Sequence, residues 1–339
     1  MIFIILNIQL IIKIISMKKN IVIGLIALLV IVAGAVVFLK SSDKQNGIDN
    51  VTLRLKWLHQ SQFAGYYAAE QAGFYQEEGI NVKLLPGGAE TPSIQIVAGG
   101  SEQFGVSGMS QLIEARAKGI PVVALATTYR KNPLIWFGIN KNIQTPRDLV
   151  DKKVGLTVGS NSDLLFRAML KKTGVDIKDI DIVPVKYDLA LLLEGKVDMY
   201  EGYLTDQPIA VELKGYKTYI LNPSDYGIYF YGDTLFTTEK VIQQNPDLVE
   251  RFVRASVRGW QFAYDNPEKA VDYVLMYSDQ LSREQEMLGM KVSLELIKPD
   301  DKPVGTIEKD VVQQMQDLLV GDGIIKSPVD LDKLIYKPF

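Results

Sequence analysis

Residues 51–79 constrain the fold more than any other stretch, because they read as a strand, a loop and a helix in succession. Apolar and polar residues alternate from Val51 to Lys56, which is the period of a half-buried strand. From Phe63 onward, apolar residues recur four positions apart, which is helical spacing. Gly73 suits the left-handed conformation that ends a helix. The stretch therefore predicts a β–loop–α unit of an α/β protein.

The loop of this unit carries aromatic and amide side chains, namely Trp57, His59, Gln60, Gln62 and Phe63. A loop at the carboxyl end of a strand is the usual ligand position in an α/β protein. These side chains would suit a flat polar ligand. The alternative is that the aromatic rings belong to the core and the amides to the surface.

Two further strand-to-helix loops are rich in glycine and hydroxyl groups. Ser107 and Gly108 follow a short predicted strand, and Ser160 and Asn161 precede a predicted helix. Glycine lets a ligand approach the backbone, and a helix amino end favours an anionic or carbonyl group. Neither loop has the P-loop lysine or the three-glycine dinucleotide pattern, so no nucleotide site is indicated. Ordinary turns and helix caps are the alternative.

A third stretch places a carboxylate beside aromatic rings. Residues 197–200 predict a short strand, and Glu201 is expected just beyond its end, followed by Tyr203. A carboxylate there can accept paired hydrogen bonds from a flat ligand with adjacent N–H donors while the rings stack on it. A solvated glutamate on a loop is the alternative.

The run QFAGYYAAEQAGFYQEEGINVKLLPGG, preceded by a strand that ends at Trp57, resembles the solute-binding proteins of ABC importers for sulfonates, nitrate and thiamine pyrimidine precursors. It looks closest to the thiamine-pyrimidine branch, and the resemblance covers about residues 51–277. It implies an α/β fold of the two-lobe periplasmic-binding-protein type (type II), with the ligand in the cleft between the lobes. A ligand that contacts both lobes would shift the population toward a closed state.

The expected organisation has lobe 1 at residues 51–139 and 230–339, and lobe 2 at residues 140–229. With the resemblance, the loops above give a set of expected ligand-binding residues: Trp57, His59, Gln62, Phe63, Tyr66, Ser107, Gly108, Ser160, Asn161, Tyr187, Glu201 and Tyr203. Trp57 and Glu201 are expected to face one cleft from opposite lobes.

The composition excludes several kinds of site. The 339 residues include no cysteine and one histidine, so there is no disulfide, thiolate metal site or cysteine nucleophile. A zinc site or a Ser-His-Asp triad would have to use His59, which has no matching partners nearby in the sequence. The net charge of −3 gives no indication of a nucleic-acid partner. No cofactor and no metal are expected.

The amino-terminal segment predicts contact with a membrane. Residues 21–39 are free of charge and long enough to span the hydrocarbon core, and Lys18 and Lys19 precede them. Residues 17–40 are therefore interpreted as a signal anchor or a cleaved signal peptide, with a slight preference for the anchor, and residues 41–50 as a tether. Residues 1–16 form an apolar leader, and Met17 offers a second start. The bulk of the chain is expected on the extracytoplasmic face.

The expected function is that of a binding protein that delivers a thiamine pyrimidine precursor to an ABC permease and its ATPase. The alternatives are a sulfonate, nitrate or another small organic solute, or a ligand-sensing domain. For a sulfonate, Arg130 and Lys186 are the nearest basic candidates. The eukaryotic pyrimidine synthases, which share the fold, place their reacting histidine six residues after the tryptophan. Phe63 stands there in this chain, so catalysis is not expected.

Overall fold

The computed structural model describes residues 47–88, 90–139, 142–185 and 189–337. The predicted anchor at Ile21–Leu39, the apolar leader, the start at Met17 and residues 41–46 of the tether lie outside these ranges, as do Tyr187 and Lys186. Within the described ranges, every helix is too short or too polar to cross a membrane.

Ten strands in the described residues form two five-stranded sheets. They are β1 (Asp49–Arg54), β2 (Ile80–Leu85), β3 (Phe104–Gly108), β4 (Val122–Thr127), β5 (Leu134–Gly138), β6 (Lys153–Leu156), β7 (Asp181–Pro184), β8 (Met199–Tyr203), β9 (Tyr219–Leu221) and β10 (Asp233–Thr238). Sheet 1 has the order β2-β1-β3-β10-β4, and sheet 2 has the order β7-β6-β8-β5-β9. We call the parts of the chain that carry them lobe 1 and lobe 2.

The helices in the described residues are α1 (Ala64–Gln71), α2 (Phe74–Glu77), α3 (Ser93–Ala98), α4 (Met109–Ala117), α5 (Asn161–Thr173), α6 (Ala190–Leu193), α7 (Gln207–Glu212), α8 (Glu239–Gln244), α9 (Pro246–Asp265), α10 (Pro267–Val274), α11 (Arg283–Ile297), α12 (Lys309–Gly321) and α13 (Leu331–Leu334). Short 3₁₀ turns lie at Ser61–Phe63, Pro146–Leu149, Ile177–Asp179, Pro223–Tyr226 and Leu275–Tyr277.

The two sheets share a topology. Sheet 1 pairs β1 and β3 in parallel, and sheet 2 pairs β6 with both β7 and β8 in parallel. In each sheet, the strand that arrives from the other lobe is antiparallel: β10 to β3 and β4, and β5 to β8 and β9. The chain thus crosses between the lobes twice. The predicted division at residue 139 put β5 in lobe 1, whereas its hydrogen bonds place it in sheet 2.

The first crossing is held to the second by backbone hydrogen bonds. The Gly232 N–H donates to the Tyr129 carbonyl at 2.8 Å, and the Thr128 N–H donates to the Asp233 carbonyl at 2.8 Å. Arg130 lies in the same crossing, 3% exposed, and its guanidinium pairs with Asp300 and Glu308. The first crossing is therefore tied to the C-terminal part of lobe 1 through Asp300 and Glu308.

Lobe 1 is built around α1 and α9, which lie unusually close together. A Cβ on Gly65 would lie 2.2 Å from the Trp260 ring, and one on Gly259 would lie 2.2 Å from the Gly65 carbonyl oxygen. Only glycine at both positions allows this approach. Residues 64–69 are all buried, because α1 is covered by sheet 1 on one side and by α9 and α10 on the other.

Candidate functional site

A cavity of about 680 Å³ lies between the two sheets and takes its walls from both lobes. Lobe 1 contributes the loop after β1, the start of α3 and the length of α4; lobe 2 contributes the ends of β6 and β8 and the starts of α5 and α7. The structure brings seven of the sequence-predicted residues to this cavity: Trp57, Gln62, Ser107, Ser160, Asn161, Glu201 and Tyr203.

Trp57 is positioned by a close backbone contact at the end of β1. The Gly87 N–H donates to the Trp57 carbonyl at 2.8 Å. A Cβ on residue 87 would lie 2.2 Å from the Leu55 carbonyl oxygen, so this approach requires glycine. The indole is half-buried, with one part packed against the lobe 1 core and another part in the cavity wall. A ring held in this way can serve as a stacking platform.

Lys56, the neighbour of Trp57, forms an ion pair at the point where the lobes meet. Its Nζ lies 3.0 Å from Oδ1 of the fully buried Asp233 and also donates to the Tyr203 hydroxyl of lobe 2. Gln62 Nε2 donates to the other Asp233 oxygen at 2.5 Å. Burial opposes the charge on Lys56, but the Asp233 carboxylate and Tyr203 outweigh it and raise the pKa of the ammonium. Lys56 is therefore cationic at neutral pH.

Glu201 forms the polar part of the opposite wall. It lies within β8 rather than beyond its end, because β8 continues to Tyr203 through its pairing with β5. The carboxylate accepts hydrogen bonds from the Thr157 N–H at 3.1 Å and from the Thr157 and Ser162 hydroxyls. Three of its roughly four acceptor positions are thus occupied.

The hydroxyls that occupy Glu201 have other acceptors within reach. Thr157 Oγ1 lies 3.4 Å from the Val185 carbonyl oxygen, and Ser162 Oγ lies 2.6 Å from Ser160 Oγ. Both hydroxyls can rotate to these acceptors and free lone pairs on Glu201. The carboxylate can then accept paired hydrogen bonds from a ligand without leaving its own position.

Two further hydrogen bonds join the lobes at the rim of the cavity. Ser110 Oγ donates to Asn161 Oδ1 at 2.7 Å, which links the starts of α4 and α5. Gln285 Nε2, on α11, donates to Asp206 Oδ1 at 2.9 Å, next to α7. Burial raises the pKa of Asp206 above its ordinary value. The starts of helices in opposite lobes therefore meet over the cavity.

Four predicted residues lie elsewhere. Phe63 and Tyr66 are fully buried in the lobe 1 core, where Tyr66 meets Trp260 edge-on at 5.4 Å between ring centroids. Gly108 ends β3 and donates its N–H to Gln111 rather than facing the cavity. His59 Nδ1 lies 2.9 Å from the Tyr67 hydroxyl, with its ring 5.5 Å from that of Tyr277, and burial lowers its pKa.

Four cavity residues have no signal in the sequence that we recognised: Lys56, Gln111, Glu114 and Thr157. Lys56 belongs to the polar side of the predicted half-buried strand. Asp206, which the sequence suggests first as a helix cap and second as a ligand contact, also lines the cavity. Thr157 could have been found from its position in the chain, because it directly follows the end of β6. Trp57 lies similarly, shortly after the end of β1. Arg130, the sulfonate candidate, does not line this cavity and is paired with two carboxylates.

Three curated relatives match most of the chain. A formylaminopyrimidine-binding protein of Halalkalibacterium halodurans is 24% identical, over 92% of this chain and 97% of its own. The riboflavin-binding protein RibY of Chloroflexus aurantiacus is 25% identical, over 88% of each chain. A 4-amino-5-hydroxymethyl-2-methylpyrimidine phosphate synthase of Legionella pneumophila is 26% identical, over 68% of this chain and 74% of its own.

A solved structure supports the architecture. The periplasmic aliphatic sulphonate binding protein SsuA of Escherichia coli superposes with a TM-score of 0.67 at 17% identity, over 86% of this chain and 93% of that one. This likeness concerns the fold, and it confirms the predicted two-lobe α/β class.

A protein-family sequence model matches more than half of this chain and so shows its family. It matches residues 60–270, which include α1, all of lobe 2 and the returning strand β10. The expected relationship to pyrimidine-binding proteins is confirmed by this match together with the formylaminopyrimidine-binding relative. The chain belongs to the NMT1/THI5-like family.

Proposed function

We propose that this protein is the solute-binding component of an ABC importer and that its ligand is a thiamine pyrimidine precursor. The observation that carries the proposal is one cavity with an aromatic platform, Trp57, on the lobe 1 side and an adjustable carboxylate, Glu201, on the lobe 2 side. An aminopyrimidine presents a flat ring that can stack on Trp57 and adjacent N–H donors that can bind the Glu201 carboxylate.

The charges around the cavity favour this ligand over a sulfonate or nitrate. Its lining includes three carboxylates, those of Glu114, Glu201 and Asp206, and two cations, Lys56 and Lys118. Lys56 is neutralised by the buried Asp233, and Lys118 is 71% exposed beside Glu114. An anion held here would lack a dedicated buried cation, whereas a neutral ring with N–H donors meets the carboxylate oxygens of Glu201.

Trp57 makes the proposal measurable. The chain has three tryptophans, and Trp136 and Trp260 are both fully buried in the core. Titration with 4-amino-5-hydroxymethyl-2-methylpyrimidine should therefore quench the fluorescence of Trp57 selectively. Trp57→Phe should abolish the signal and keep most of the affinity, while Trp57→Ala should weaken binding by roughly 1–3 kcal/mol with little loss of fold. Tighter binding of methanesulfonate or nitrate than of the pyrimidine would contradict the proposal.

Binding without catalysis is the second part of the proposal. The histidine of this chain, His59, points to Tyr67 and Tyr277 and does not line the cavity. The position that carries the reacting histidine in the related synthases is the buried Phe63. Incubation with pyridoxal phosphate and iron under oxygen should leave the mass of the protein unchanged. Loss of mass at His59, or any pyrimidine formed, would establish a synthase instead.

The proposed location is the extracytoplasmic face of the cell membrane, with residues 21–39 as the anchor and a permease and ATPase as partners. The support is the lysine pair before an uncharged run of sufficient length. Protease added to intact cells or spheroplasts should digest the domain. Protection of residues after Lys40 under conditions that digest a surface control would contradict this orientation.

A further inference from the structure

One face of helix α4 lines the cavity along its whole length. The residues concerned are Gln111, Glu114 and Ala115 of α4 and Lys118, which directly follows the helix, at spacings of three, four and seven from the first. Positions at this spacing share one side of a helix. With a rise of about 1.5 Å per residue, the stripe extends about 10 Å along the helix axis. The cavity is thus elongated and extends well beyond the ring site at Trp57 and Glu201.

The volume agrees with this shape. At about 30 Å³ for a water-sized group, a ring compound of about ten non-hydrogen atoms occupies at most about 300 Å³. The cavity offers about 680 Å³. A thiamine pyrimidine precursor therefore leaves more than half of the space unfilled.

The walls beyond the ring site have a defined polarity. The cavity lining also includes apolar side chains from both lobes, namely Ile94 and Ile120 of lobe 1 and Leu189 and Ala210 of lobe 2. The α4 stripe supplies an amide near its start, where Gln111 Oε1 accepts from the Gly108 N–H at 3.1 Å, and the charged Glu114 and Lys118 further along. We call this part of the cavity, bounded by these residues, the α4 arm.

We propose that the α4 arm binds the polar extension of an elongated ligand, a flat nitrogen heterocycle that carries a hydroxylated or charged chain. The ring would occupy the Trp57–Glu201 site, so the inference rests on the proposed function and extends it. Apolar sides accept the body of the chain, and Gln111, Glu114 and Lys118 accept its polar groups. A compact pyrimidine would leave these groups to water.

Two matched probe pairs test the inference on the full-length protein by calorimetry. The first pair is 4-amino-5-hydroxymethyl-2-methylpyrimidine and thiamine, which carry the same ring without and with an extension. The second is lumichrome and riboflavin, which differ in the ribityl chain. In at least one pair, the extended member should bind at least tenfold tighter than the compact member.

Two variants test whether the extension of the ligand binds in the α4 arm. Ala210→Leu fills the arm from lobe 2, and Glu114→Gln removes a charge from its α4 wall; each should weaken the extended probe about tenfold and leave the compact probe within about twofold. Trp57→Ala should weaken both members of a pair. Circular dichroism melts confirm that each variant is folded, and Ala210→Gly, which opens the arm, should keep the affinity for the extended probe.

The outcomes separate the two proposals. Two results would overturn the proposed binding role of the α4 arm while leaving a pyrimidine-binding ring site. One is equal affinity within both pairs, and the other is an affinity for the extended probes that does not change in Ala210→Leu and Glu114→Gln. Tight binding of riboflavin that depends on the arm, with no binding of the compact pyrimidine, would support the arm and overturn the pyrimidine assignment. Failure of all four probes to bind would overturn both.

Discussion

The two walls of the cavity hold their ligand-facing groups by different means. In lobe 1, Trp57 and Lys56 are backed by a tight backbone contact, a buried carboxylate and a helix buried on all sides. In lobe 2, Glu201 is held by hydroxyls that have alternative acceptors nearby. The difference indicates that lobe 1 provides a preformed platform and that lobe 2 adjusts its hydrogen bonds to the ligand.

The largest expected effect concerns the buried ion pair of the platform. Lys56→Met should lower the free energy of unfolding by about 3 kcal/mol, because it leaves the fully buried Asp233 without its cation. The remaining bond from Gln62 keeps the loss at the lower end of the range for broken buried pairs. Urea unfolding followed by circular dichroism measures the change.

Lobe 2 offers a matched control for this variant. Lys171, on α5, pairs with Asp322 at 3.1 Å, almost the distance of the Lys56 pair, but its side chain is 73% exposed. Lys171→Met should therefore cost less than about 1 kcal/mol. Equal losses for the two variants would show that burial does not distinguish them and would remove the ion pair from the description of the platform.

The loop glycines should respond differently in the two walls. Gly87→Ala should lower the free energy of unfolding by about 2 kcal/mol, because its Cβ would meet the Leu55 carbonyl oxygen at 2.2 Å. Gly159→Ala, in the loop after β6, should cost about 1 kcal/mol, because its φ is +77° while the space around it is open.

Asparagine separates steric from conformational causes at these two glycines. It tolerates the left-handed region, so Gly159→Asn should recover most of the stability that alanine loses there. Gly87→Asn should lower the free energy of unfolding at least as much as Gly87→Ala, because any Cβ at this position would clash. Thermal melts of the four variants measure the pattern, and rescue by asparagine at residue 87 would contradict the steric explanation.

Much of the fold could be predicted from local patterns. The alternation before Lys56 and the burial of Ile80, Val82 and Leu84 match β1 and β2, and Gly73 does take the left-handed conformation, at φ 81°. Thr145 and the proline and acid that follow it have the sequence of a helix start, yet they begin only a 3₁₀ turn, because the chain turns again at Asp151, whose φ is 60°. A cap marks where a helix can begin, and it does not determine how far the helix continues.

The candidate site was harder to predict because its members are fixed by tertiary contacts. Tyr66 was expected to bind the ligand, but α1 is covered on both sides, which one helical period cannot show. Lys56 looked like a solvated strand residue, and only the return of the chain at Asp233 gives it a buried partner. The cavity takes residues near strand ends, such as Trp57 and Thr157, since the topology brings those ends together.

A smaller effect is expected from the adjustable wall. Thr157→Val removes one hydroxyl donor from Glu201 and keeps the shape of the side chain, so it should cost about 1 kcal/mol of stability. Ligand affinity should change little, because in the bound state this hydroxyl turns to Val185. Thr157→Ser, which retains the hydroxyl, is the control. A loss of affinity tenfold or larger in Thr157→Val alone would mean that the hydroxyl contacts the ligand directly.

The smallest effect should appear where the two walls meet, at the hydrogen bond between Ser110 and Asn161. A double-mutant cycle of Ser110→Ala and Asn161→Ala should give a coupling of about 0.5 kcal/mol without ligand, because Asn161 is only half-buried and water can replace Ser110. The coupling should increase when saturating ligand holds the lobes together, since binding and closure then favour the same contact. The buried pair Tyr75 and Ser256, 2.8 Å apart within lobe 1, provides the reference cycle, made with Tyr75→Phe and Ser256→Ala. Its coupling should not depend on ligand. If both cycles responded equally to ligand, the change would reflect general stabilisation, and the contact between the walls would have no specific part in closure.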